Sequence, residues 1–233
     1  DAPEYDQILE ACAVRADASF AWPRDVADIF DARARRQFWL TPSAAALLRM
    51  RRDPANLETG RPHADLVNDL HAFISTAGPS VMASYGPRDG LFLQECGYRS
   101  LTPEPIILPA SVPLDIQLMA AAAALFEPEA IRFPVVKGDE IASLAATCAA
   151  NGFDVDETDL LDARPFVAAT MALTMRLQER APQAYAALLA CADPAHIRSI
   201  TKTEPFLHIS IRGGRARVQP VQSIGPAAPG APL

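Results

Sequence analysis

The segment 206–219, which reads FLHISIRGGRARVQ, decides the fold prediction because it contains the clearest two-stranded pattern of the chain. Two runs flank Gly213 and Gly214, and a two-residue glycine loop tolerates the positive φ angles of a tight hairpin turn. That turn would fix the register and sort the side chains onto two faces. The apolar face would hold Ile209, Ile211, Ala216 and Val218. The polar face would hold His208, Ser210, Arg212, Arg215, Arg217 and Gln219. We therefore predict a C-terminal β-hairpin with one face packed on helices and one basic face.

Upstream of this hairpin the sequence is mostly helical. Apolar residues at spacings of three and four predict helices, and a β-branched run at 131–136 predicts a short strand. The predicted helices are 114–126, 139–150, 156–180 with an interruption at Pro165, and 182–192.

The first third of the chain predicts an N-terminal helical bundle, because prolines separate four stretches with helical periodicity. These stretches lie near 5–12, 23–34, 42–52 and 63–75. Next, short apolar runs surround Gly86-Pro87-Arg88-Asp89-Gly90, which has the composition of a hairpin loop, so a central hairpin is expected at about 80–96.

The predicted fold class is accordingly α+β and mostly helical. Four prolines between 100 and 113 mark the expected domain boundary. We predict a helical domain over 1–110, a second helical domain over 111–221 that ends in the hairpin, and a flexible Pro/Ala tail over 222–233.

Composition excludes several classes of protein. The 233 residues are 50% hydrophobic and carry a net charge of −7, which argues against disorder and against a surface that is basic throughout. The longest apolar run, 118–126, is too short to span a membrane, and no secretory signal is visible. The four cysteines are far apart in the sequence and form no C-x-x-C pair, so we expect them to be reduced thiols. Reduced thiols favour a cytoplasmic location. Only two of the 21 basic residues are lysines, a bias typical of a GC-rich, bacterial-like genome.

No complete catalytic motif is present, so no cofactor is predicted. The sequence favours a non-catalytic role without deciding whether the protein is an enzyme. Cys96, at the end of a predicted strand, is the weak candidate for a nucleophile. One predicted helix also carries several weak candidates for metal ligands, although the same pattern is typical of a solvated helix face. These candidates are His63, Asp65, Asp69 and His71.

Two local resemblances bear on function. The helix, Gly-Phe turn and Asp-Leu-Leu sequence over 139–161 resembles a Nif11-type leader segment. The element order over 113–219 loosely resembles a winged helix-turn-helix, with the hairpin as its wing. That architecture implies DNA binding or peptide capture, and five acidic residues near its expected reading helix argue against DNA.

The resulting functional prediction is a non-catalytic accessory or adaptor protein that binds a peptide or a partner enzyme. The two resemblances imply a role in the biosynthesis of ribosomally made peptides. Its contact face would be His208, Arg212, Arg215 and Arg217. One alternative is a small-molecule enzyme with a site between the two halves that uses Cys96 or the His63, Asp65 and His71 group. A second alternative is a nucleic-acid binder that uses the arginines between Arg33 and Arg52. As partners, the sequence favours a protein or peptide, makes nucleic acid unlikely and gives no indication of a membrane.

Overall fold

The structure is a computed structural model with an α+β fold in which helices predominate. It describes residues 7–41, 47, 54–76, 80–100, 113–136, 141–203, 205–212 and 214–223. Within these ranges the strands are β1 (Glu10–Val14), β2 (Ile29–Arg33), β3 (Ala83–Ser84), β4 (Leu114–Asp115), β5 (Phe206–Arg212) and β6 (Arg215–Val221). The α-helices are α1 (His63–Ser75), α2 (Arg88–Arg99), α3 (Ile116–Phe126), α4 (Leu144–Ala150), α5 (Ala163–Arg180), α6 (Pro182–Ala190) and α7 (Pro194–Thr203).

The N-terminal region contains an antiparallel strand pair where we expected two helices. β1 and β2 pair with Ala11 opposite Ala32 and Ala13 opposite Phe30, and the apolar face of the pair packs on α1 and α2. The predicted helices at 5–12 and 23–34 are therefore wrong. The spacing of small apolar residues there also fits the two-residue period of a strand. Pairing between the two segments stabilises the strands relative to the predicted helices.

Only one helix of the predicted N-terminal bundle is found among the described residues. The prediction for 63–75 is confirmed by α1, whose Leu66, Val67 and Leu70 are buried. The predicted helix at 42–52 lies outside the described residues, apart from residue 47, which is helical.

The predicted central hairpin is also wrong. β3 pairs in parallel with β4, and the second expected strand is instead helix α2. Pro87 directly precedes this helix, and Leu93, Cys96 and Gly97 lie on its buried face at helical spacing. Packing against α1 therefore favoured the helical period over the local turn signal at 86–90.

The helices around the main core follow the prediction with shifted ends. α3 begins after Asp115, whose carboxylate accepts from the backbone N–H groups of Gln117 and Leu118 at 2.9 and 3.1 Å. α4 begins only after Ser143, which caps it through Ala146 N–H, so 141–143 are not helical. The strand predicted at 131–136 is not formed, and the break in the long helical stretch precedes Ala163 rather than lying at Pro165.

The C-terminal hairpin is confirmed in the predicted register. Ile209 lies opposite Val218, Ile211 opposite Ala216, and Arg212 opposite Arg215. Gly214 has a φ of 65°, which suits glycine at the turn. The apolar face is half-buried and the hairpin packs against α3, while the basic face is exposed. Residues 224–233 of the predicted tail lie outside the described part of the chain.

Two apolar clusters form the core. One joins the β1–β2 pair to α1 and α2, and the other is built around α3, α4, α5 and α6. The division into domains at residue 110 stays a prediction. Within the described ranges, each helix is either too short or too polar to cross a lipid bilayer.

Candidate nucleic-acid interface

Two aromatic side chains project into solvent from the loop that follows β2. Phe38 is 86% exposed and Trp39 is 63% exposed. Their rings stack edge to face, with centroids 4.6 Å apart and an interplanar angle of 84°. We call this pair the aromatic platform. Large aromatic side chains exposed together are typical of a surface that receives a ligand.

The loop that carries the aromatic platform is held by side chains on both sides. Gln7 donates to the Arg35 carbonyl oxygen at 2.7 Å and accepts from the Gln37 backbone N–H at 2.8 Å. The Arg36 guanidinium donates to the Leu40 carbonyl oxygen at 2.6 Å. These bonds hold the backbone on either side of Phe38 and Trp39.

A glycine permits the close approach of the neighbouring segment. Gly60 has a φ of 108°, and a Cβ atom there would lie 2.7 Å from the Arg33 carbonyl oxygen. That approach lets Arg61 exchange backbone hydrogen bonds with Arg33 and Arg35. The loop after β2 is thus tied to the start of α1.

Most arginines beside the platform are already paired with carboxylates. Arg33 pairs with Glu10 at 2.7 Å, Arg36 with Glu58 at 2.5 Å, and Arg61 with Asp69. The exposed Arg35 is different, since its guanidinium has no hydrogen-bond or ion-pair partner among the described residues. This surface can therefore offer stacking and one free guanidinium, with little surplus charge. Arg49, Arg51 and Arg52, the other arginines of the predicted nucleic-acid site, lie outside the described residues.

The basic face of the hairpin is a second cationic surface. His208, Arg212, Arg215 and Arg217 are all exposed on one side of β5 and β6. No carboxylate partner for them is found in the part of the chain that the structure describes. The sequence thus located this face correctly, whereas its partner-binding role is not tested by the fold.

Cys96 is buried, contrary to its expected place at the end of a strand. Its side chain is 0% exposed on α2, and the Arg99 guanidinium donates to its Sγ at 3.1 Å. His63 is also buried, and its Nε2 has no hydrogen-bond partner in the described structure. Burial, with a smaller contribution from Arg99, lowers the pKa of His63 below its usual range. The alternative enzyme prediction that uses these residues stays a prediction.

The proposed metal ligands on α1 do not come together. His63 is buried, Asp65 is exposed, and Asp69 is paired with Arg61. Across the described ranges, no three His, Cys, Asp or Glu side chains are grouped so that they could hold a metal ion.

Sequence reasoning overlooked the aromatic platform. The adjacent pair Phe38-Trp39 lies between polar Gln37 and the Thr41-Pro42 helix-start signal, which is an unusual place for two large aromatic residues. That position was the available signal in the sequence.

Comparison with solved structures shows what this fold is similar to. The chain matches exonuclease I of E. coli in complex with a dA16 oligonucleotide at a TM-score of 0.75 and 19% identity, over 89% of this chain and 45% of that one. It matches the complex with a dT13 oligonucleotide at 0.76 and 19% identity, over 90% and 46%. A zinc-bound complex of the same exonuclease with single-stranded DNA matches at 0.74 and 19% identity, over 90% and 45%.

The likeness establishes the fold. The chain spans a little less than half of the length of these exonuclease I chains. No protein-family model and no curated protein matches it. The third structure contains a zinc ion, whereas the described residues of this chain contain no group of three or more His, Cys, Asp or Glu side chains that could hold one. The resemblances to a Nif11-type leader and a winged helix-turn-helix stay predictions.

These neighbours correct the predicted function. The prediction of a peptide or partner-enzyme adaptor is wrong, and so is the expectation that nucleic acid is an unlikely partner, because the fold is similar to a little less than half of an exonuclease solved with bound DNA. That expectation rested on the five acidic residues near the expected reading helix and on the net charge of the chain. Binding depends on local surfaces, and a net charge of −7 leaves room for a local cationic or stacking site.

Proposed function

We propose that this chain binds single-stranded DNA, with unpaired bases stacking on the aromatic platform of Phe38 and Trp39. The observation that carries the proposal is the exposure of both rings on a loop held by Gln7 and Arg36. The similar fold of exonuclease I bound to single-stranded oligonucleotides supports it. Of the sequence-based alternatives, it extends the nucleic-acid site at Arg33–Arg52.

Stacking accounts for a preference for single strands over duplex. Every base has a π-face, but in a duplex those faces are covered by neighbouring base pairs. A platform of two aromatic rings therefore selects unpaired bases with little sequence preference. The free guanidinium of Arg35 supplies a donor for a phosphate beside the stacked base.

Fluorescence anisotropy of a labelled 16-nucleotide oligo(dT) tests the proposal. Each stacked base contributes about 1–3 kcal/mol, so we expect Phe38→Ala and Trp39→Ala each to weaken binding by about 5-fold to 150-fold. The matched control is Tyr98→Ala, which removes an aromatic ring that is 55% exposed on α2. We expect this control to bind as the unaltered chain does.

Tryptophan fluorescence gives an independent measurement. The chain has two tryptophans, Trp22 and Trp39, so Trp22→Phe leaves Trp39 as the reporter. Stacking on a base should quench Trp39, and a duplex of the same length should quench it less. Full-affinity binding by the Phe38→Ala/Trp39→Ala double variant, or no binding at low salt by the unaltered chain, would disprove the proposal.

A further inference from the structure

The basic face of the hairpin concentrates positive charge at some cost in stability. Arg212 lies directly opposite Arg215 in the register, and Arg217 follows on the same face of β6. Like charges directly opposite one another on a sheet are destabilising. The segment 206–221 contains no Asp or Glu that would offset them. Such an arrangement is typical of a surface whose counter-charge comes from a ligand.

The hairpin holds the backbone positions of these arginines at fixed spacing. Its opposite face, with Ile209, Ile211 and Val218, is half-buried, and the hairpin packs against α3. Residues two apart on a strand are separated by about 6.8 Å. Arg215 and Arg217 therefore form a row along β6, with Arg212 beside it on β5. A row of regularly spaced guanidinium groups suits a ligand whose negative charges also repeat along a line.

We infer that this face binds the phosphate backbone of single-stranded DNA, as a second contact surface beside the aromatic platform that stacks on its bases. Guanidinium groups bind phosphate oxygens through two parallel hydrogen bonds, and a nucleic acid repeats phosphates along its length. The inference rests on the proposed function and assigns different interactions to the two surfaces. The platform supplies stacking beside arginines that are mostly paired, and the hairpin supplies the unpaired charge.

The salt dependence of binding separates these two contributions. For single strands, the slope of log Kobs against log[salt] changes by about 0.7 for each phosphate contact. We expect the triple variant Arg212→Gln/Arg215→Gln/Arg217→Gln to reduce the magnitude of this slope by about 2 for oligo(dT) of 30 nucleotides. Quenching of Trp39 at saturation should remain, because the platform is intact.

A second triple variant serves as the matched control. Arg24→Gln, Arg132→Gln and Arg180→Gln remove the same charge from exposed positions elsewhere on the chain. We expect this control to keep the slope of the unaltered chain. An equal loss of slope in both triple variants would show a general effect of net charge and would overturn the inference.

A charge-conserving variant guards against misfolding of the hairpin. Arg212→Lys/Arg215→Lys/Arg217→Lys should keep most of the salt slope and lose only part of the affinity, because lysine binds phosphate as a point charge. If the glutamine variant keeps the full slope while the unaltered chain binds DNA, the hairpin inference alone is wrong. If the unaltered chain does not bind DNA, the proposed function is wrong as well.

Discussion

Two aromatic environments in this chain show how differently similar side chains are used. Phe38 and Trp39 lie in solvent, whereas Tyr85 is 9% exposed inside the main core. The Tyr85 hydroxyl donates to the Ala142 carbonyl oxygen at 2.9 Å and accepts from the Thr147 hydroxyl at 2.7 Å. A buried polar group satisfied in this way stabilises the fold, while an exposed ring contributes little to stability.

Tyr85→Phe should lower the free energy of unfolding by about 1–2 kcal/mol at neutral pH, because the Thr147 hydroxyl loses its acceptor. The Ala142 carbonyl loses one donor but still accepts from Gln117 Nε2 at 2.9 Å. Urea denaturation followed by circular dichroism measures this. Tyr98→Phe, at an exposed position, is the control and should change stability by less than about 0.5 kcal/mol. Equal effects of the two substitutions would contradict the burial argument.

Tyr85 also makes stability depend on high pH. Burial raises the pKa of Tyr85 from 10.0 to about 12. The unfolded chain thus loses this proton at a lower pH than the folded chain does. The stabilisation is complete below pH 10 and is lost between pH 10 and 12, with a slope of about 1.4 kcal/mol per pH unit. In the Tyr85→Phe variant this part of the decline should be absent.

At the scale of elements, Asp115 accepts hydrogen bonds from three backbone N–H groups. Its carboxylate caps α3 through Gln117 and Leu118, and it accepts from the Gly86 backbone N–H at 3.0 Å beside β3. Burial raises the pKa of Asp115 although these hydrogen bonds oppose the rise. The oxygen acceptor is therefore favourable at this position, whereas the negative charge is partly unfavourable.

This difference predicts unequal losses of stability for two substitutions at Asp115. Asp115→Ala removes the acceptor and should destabilise the fold by about 1–2 kcal/mol. Asp115→Asn keeps an oxygen acceptor without the charge and should stay within about 0.5 kcal/mol of the unaltered chain at pH 7. Thermal unfolding of both variants tests this, and an asparagine variant as unstable as the alanine variant would show that the charge itself is required.

At the scale of the whole molecule, the two apolar clusters are joined across the predicted boundary at residue 110. Phe20 and Tyr85 belong to the first half of the chain but pack in the cluster around α5. The Ala163 backbone N–H donates to Glu10 at 3.2 Å, and Arg164 pairs with Asp31 at 3.4 Å. We therefore expect the two clusters to unfold together.

Leu66 and Leu173, each 0% exposed, lie in different clusters and test this expectation. Leu66→Ala and Leu173→Ala should each cost about 2–5 kcal/mol and lower the midpoint of a single transition. In calorimetry, each variant should show a single unfolding peak at a lower temperature than the unaltered chain. Two peaks, with each substitution shifting only one of them, would instead support two independent domains.

The sequence by itself determined those elements whose signals are local. The glycine turn and alternating side chains of 206–219 predicted the hairpin in its observed register, and the apolar spacing of 63–75 predicted α1. Both segments bury one face with a single periodicity, so little else competes with the local pattern. The arginines of the hairpin were located for the same reason.

Only the tertiary structure decided the remainder. β1 and β2 form because segments about 20 residues apart pair with each other, and α2 replaces a predicted strand because Leu93 and Cys96 pack against α1. The aromatic platform likewise depends on Gln7, which is 30 residues from Gln37 in sequence. Hydrogen bonds and packing between distant segments carry free energies that override weak local propensity, and a local pattern contains no record of them.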